Sequence, residues 1–71
     1  MKLYKRMDAV QCAYDAHDAV THALDQLGMA ILKARLAGAH PAVKGISSAA
    51  ERLRFWRSKL AAAAEAAEHA D

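Results

Sequence analysis

Asp18, His22 and Asp25 follow one another at steps of four and three residues. On a helix that spacing turns two carboxylates and an imidazole to one side, the beginning of a divalent-metal site. They close a longer acidic line of Asp8, Gln11, Asp15, Asp18, His22 and Asp25. One helix face supplies too few ligands and nothing behind them to orient the imidazole. The line therefore reads as a solvated face or an electrostatic partner for the basic stretch of another chain, and no metal or cofactor is expected. Cys12 and Tyr14 pair a thiol with a phenol, but nucleophilic catalysis needs a base held by a third group, and the sequence offers none. Glycine-rich phosphate loops and zinc-ligand spacings are absent, and a narrow bundle offers little concavity for a small-molecule substrate. The chain reads as a non-enzyme.

The other suggestive stretch is RLRFWRSKL, residues 52–60, where Phe55 and Trp56 stand side by side among Arg52, Arg54, Arg57 and Lys59. Neighbours on a helix point about 100° apart, so one buried stripe cannot take both rings. Trp56 shares a stripe with Leu53 and Leu60 and is expected in the core. Phe55 is then expected at the surface or under a second subunit, among Ser48, Arg52 and Lys59. An aromatic ring rimmed by cations resembles the centre of a protein-binding hot spot.

Two elements must position these residues. Strand alternation is missing, and Ala, Leu, Glu, Lys and Arg dominate, all good helix formers. Leu3, Met7, Val10, Tyr14, His17, Val20, Leu24, Leu27, Ile31 and Ala34 recur every three or four residues, predicting a helix from about 3 to 37. His17 interrupts this apolar ladder, as a polar residue that fixes register and oligomer state does. Gly28 keeps the period and is expected to mark close packing or a mild kink. The hinge falls at 38–41, where Gly38 suits a helix end and Pro41 a helix start. Helix 2, about 41–69, begins at Pro41 or at the capping box Ser48-Ala49-Ala50-Glu51. Its stripe is Val43, Ile46, Ala49, Leu53, Trp56, Leu60, Ala63 and Ala67.

Composition argues for a second subunit. The chain has 71 residues and 55% hydrophobic residues, but 19 of these are alanines, and a single core of that size stabilises by only ~3–5 kcal/mol unless something staples it. One cysteine, Cys12, permits no intrachain disulfide, which suits a reducing, cytoplasmic setting. No signal peptide or membrane span is read in the sequence. Met29, Leu32 and Leu36 project away from the helix 1 stripe, so this helix is apolar on two sides and wants two neighbours. The expected architecture is all-α, an antiparallel two-helix hairpin that forms a homodimeric four-helix bundle. Tyr14, His17, Leu24, Leu27, Ile31, Leu53, Trp56 and Leu60 are its expected core and dimer residues.

Charge is uneven. Residues 1–25 carry −1, residues 26–60 carry +6, and residues 61–71 carry −3. A basic middle suits an acidic or mixed protein surface. In length and hairpin pattern the whole chain resembles small phage-encoded antagonists of the quorum-sensing anti-activator type, which implies a helical dimer that binds a host transcription activator. That resemblance carries no site residue. The leading expectation is a dimeric regulator or inhibitor that docks on a partner protein through Phe55, Arg52, Arg54, Arg57 and Lys59. A second is nucleic-acid binding, since the plan is also similar to that of Rop-type plasmid copy-number proteins, with Lys44, Arg52, Arg54, Arg57 and Lys59 as phosphate contacts. A third is a structural piece of a larger assembly.

Overall fold

The computed structural model describes residues 2–69, with side chains from residue 8 to residue 69. Two helices, α1 (Lys2–Leu36) and α2 (His40–His69), fold back on each other as an antiparallel hairpin. At 1.5 Å per residue α1 should be about 50 Å long, and the molecule is a rod of 54 × 14 × 11 Å.

The turn is shorter than the hinge read from the sequence and occupies residues 37–39. Gly38 adopts φ +73°, a left-handed conformation that costs glycine nothing. Its N–H donates to the Arg35 carbonyl at 3.0 Å, and the Ala39 N–H donates to the Ala34 carbonyl at 2.9 Å. This pair of bonds is the Schellman end of a helix, and it satisfies carbonyls that would otherwise be left open. Lys33 and Arg35 lie in the last turn of α1, where the helix dipole favours cations. The Ala39 carbonyl accepts from the Val43 N–H at 3.1 Å, starting α2 so early that Pro41 sits in its first turn, where a missing N–H is harmless. Ser48 lies well inside α2.

Each helix offers the other a strict alternation of three- and four-residue steps. In α1 the facing residues are Val10, Ala13, His17, Val20, Leu24, Leu27, Ile31 and Ala34; in α2 they are Val43, Ile46, Ala50, Leu53, Arg57, Leu60, Ala64 and Ala67. This is a seven-residue repeat of the antiparallel coiled-coil kind. Three of these α2 positions correct the expected stripe. Ala50, Arg57 and Ala64 face α1, whereas Ala49, Trp56 and Ala63 are exposed. Trp56 is 59% exposed and is not part of the hairpin core. On α1, Ala13 takes the place expected for Tyr14, which is exposed. Both corrections have one cause: two helices in direct contact leave no room for a ring on the line between them, so the aromatic moves to the flank and a small or flexible neighbour takes the seam. The expected Leu3 and Met7 contacts lie outside the described side chains.

The resulting core is thin. Among the described residues only Ala50 and Ala64 are fully buried, and the leucines, isoleucines and valines of the seam are half-buried. Gly28 does not mark close packing within the hairpin, because a Cβ there would meet nothing within 4 Å.

Candidate functional site

Phe55 projects from the outer side of α2 and is 53% exposed. Its ring meets that of Trp56 edge to face, with centroids 5.2 Å apart and planes at 83°, an arrangement the ring quadrupoles favour. Lys59 Nζ lies 5.2 Å from the Phe55 centroid, within reach of a cation–π interaction. Lys59 is one turn along from Phe55, and Arg52 is nearly one turn back on the same side. The Ser58 hydroxyl donates to the Phe55 carbonyl at 2.7 Å, so this turn of helix is held by a side-chain bond as well as its own ladder. The result is an exposed aromatic pair with a cation beside one ring, on the middle of a continuous helix.

Not every expected partner of Phe55 joins it. Arg57 faces α1: its Nη1 donates to Thr21 Oγ1 at 3.4 Å, and the stem of the side chain lines the seam, as long cationic side chains can. Arg54 is exposed, but helical geometry turns it about 100° from Phe55, toward the flank that carries Thr21. The site that forms is Phe55, Trp56, Lys59 and Arg52. The sequence reading missed Arg57 as a seam residue; the signal was the unbroken run Ala50, Leu53, Arg57, Leu60, Ala64, which keeps the seven-residue period.

The hairpin has two unlike flanks. One is closed by hydrogen bonds between the helices. The Tyr14 hydroxyl donates to Glu68 Oε1, Arg57 donates to Thr21, and the Thr21 hydroxyl donates onward to the His17 carbonyl at 3.0 Å. The bond to Glu68 is the main reason the Tyr14 hydroxyl is held above its ordinary value, with desolvation and the charges of Glu68 and Glu65 adding to it. The opposite flank has alanine at every seventh position of α1, Ala9, Ala16, Ala23 and Ala30, and on α2 Ala42, Ala49 and Ala63, with Trp56 rising among them.

The acidic line of α1 lies along its outward side. Gln11 donates to Asp15 Oδ1 at 2.9 Å, and His17 Nδ1 lies 3.8 Å from Asp18 Oδ1. Among the described residues no three His, Cys, Asp or Glu side chains come together around a point where one metal ion could bind. No helix there is long and apolar enough to cross a membrane. Cys12 is exposed. Of the expected core residues, His17, Leu24, Leu27, Ile31, Leu53 and Leu60 lie in the seam.

No protein-family model matches the chain, and neither curated proteins nor solved structures give a significant match.

Proposed function

We propose that this chain is a small dimeric regulator that docks on a partner protein, such as a transcription regulator in the cytoplasm, through the Phe55 side of α2, and inhibits or recruits it there. The observation that carries the reading is the exposed Phe55 ring with Lys59 beside it, on the outer side of a continuous helix. A large aromatic ring with only two side-chain torsions loses little side-chain entropy when covered. The Lys59 and Arg52 charges beside it set the approach rate and favour an acidic partner.

The cations support protein docking over phosphate-backbone binding. Arg57 is committed to the seam, and Arg52, Arg54 and Lys59 do not share one side of α2, whereas a nucleic-acid site needs its cations along one track. The test is capture from nuclease-treated lysate with wild type and Phe55→Ala, both checked by light scattering for the same oligomeric state. Discrete proteins held by wild type and lost with Phe55→Ala are expected. Retention of only nucleic acid from untreated lysate, released steeply by salt, would overturn the reading in favour of the Rop-like one.

A further inference from the structure

We infer that the alanine flank centred on Trp56 is the surface by which two copies of this chain pair, with α1 of one copy lying on α2 of the other and both turns at the same end. This specifies the dimer within the proposed function but does not depend on docking through Phe55.

The first ground is area. A folded chain of 7.7 kDa is expected to expose about 4,300 Å², and this one exposes 5498 Å². Its radius of gyration is 16.2 Å, against about 11 Å for a compact chain of this length. The excess of about 1,200 Å² exceeds the ~800 Å² each partner contributes to a standard stable interface. The second copy supplies the layer that a single hairpin lacks.

The second ground is shape. Ala16, Ala23, Ala30, Ala49 and Ala63 give a flank on which a helix backbone can approach closely, and Trp56 is the one large side chain standing on it, 59% exposed. The Arg57–Thr21 bond fixes the axial register, so Trp56 lies level with Ala23. In an isologous pair with both turns at one end, each Trp56 therefore falls on Ala23 of the other copy. The opposite flank, crossed by Tyr14–Glu68 and Arg57–Thr21, has no such surface.

The third ground is charge, and it fixes the orientation. Arg52 and Lys59 stand on the edge of α2 next to Trp56, and the α1 residues level with them on this flank, Gln26 and Ala19, carry no charge. Among the described residues no ion pair joins the two helices within one chain; the one imidazole–carboxylate contact, His17–Asp18, is local. Placing α1 on the other copy's α2 sets Arg52 and Lys59 beside uncharged residues of the other copy, while the Asp line of α1 stays on the outward side. Placing the turns at opposite ends would set α2 on α2, antiparallel, and bring Arg52 of each copy toward Lys59 of the other.

Cys12 provides the test. It lies on this flank, and the arrangement places it opposite residue 66 of the other copy. Within one chain the two positions turn outward on separate helices, beyond the ~7 Å that a disulfide can span. On oxidation, Ala66→Cys is expected to give a disulfide-linked dimer reversed by reductant. Glu65→Cys, at the same level on the other side of α2, should stay monomeric on the gel. In sedimentation, Trp56→Ala should weaken the dimer about tenfold or more, while Phe55→Ala leaves it within about twofold. A cross-link at residue 65 and not 66 would overturn the assignment, as would a dimer dissociated by Leu32→Asp but not by Trp56→Ala. Partner capture that survives such a result would leave the Phe55 reading standing; a correct cross-link without Phe55-dependent capture would remove that reading alone.

Discussion

Arg57 reaches from the seam of α2 to the Thr21 hydroxyl on α1 at 3.4 Å, and Thr21 passes a hydrogen bond on to the His17 carbonyl. A cation thus occupies a place where an apolar residue would pack better. Polar seam residues fix register at a cost in stability. Arg57→Leu is expected to raise hairpin stability by about 1 kcal/mol while loosening register. Thermal unfolding followed by circular dichroism should show a higher midpoint, and light scattering a broader distribution of species. A lower midpoint would mean that the Thr21 bond outweighs the burial of leucine.

Glycine substitutions should divide by backbone conformation. Gly28 is inside a helix with open space where a Cβ would go, so Gly28→Ala is expected to stabilise by roughly 0.5–1 kcal/mol. Gly38 sits at φ +73°, so Gly38→Ala should destabilise by about 1 kcal/mol or more. Urea unfolding of both variants checks the contrast in sign. Equal effects would contradict the Schellman turn.

Tyr14 links the helix ends to pH. The neutral phenol donates to Glu68, so the bond favours the protonated form and holds the hydroxyl above its ordinary 10.0. The stability from this contact is complete below pH 10 and is lost as pH rises through the raised value. In a Tyr4→Phe background, ultraviolet titration of Tyr14 should show the upward displacement, and Glu68→Gln should reduce it. An unchanged titration in that variant would contradict the contact.

The fold was legible in the sequence because its signals are local. Gly38, Pro41 and two long apolar periods suffice to place two helices and a turn. What the sequence concealed was the seam itself. Stripes drawn through the largest apolar residues pass through Tyr14 and Trp56, while the packed lines pass one residue away, through Ala13 and Arg57. Hydrophobicity ranks a tryptophan above an arginine, but contact between two helices selects for what fits between them, and an arginine stem fits where an indole does not. The strict alternation of steps was the better guide, since the seven-residue period survives a polar residue that hydropathy skips. Phe55 was easier to place, because any seam containing Leu53 and Leu60 turns it outward.

Trp56 is the only tryptophan of the chain, so its fluorescence reports directly on the face assigned to the dimer. The measurement is its emission across a dilution series that spans dimer dissociation, with light scattering on the same samples. Emission displaced to the blue and shielded from a soluble quencher is expected when the dimer is present, shifting to that of a solvated indole on dilution. A dimer by light scattering whose indole stays solvated throughout would contradict that assignment and place the pairing surface elsewhere.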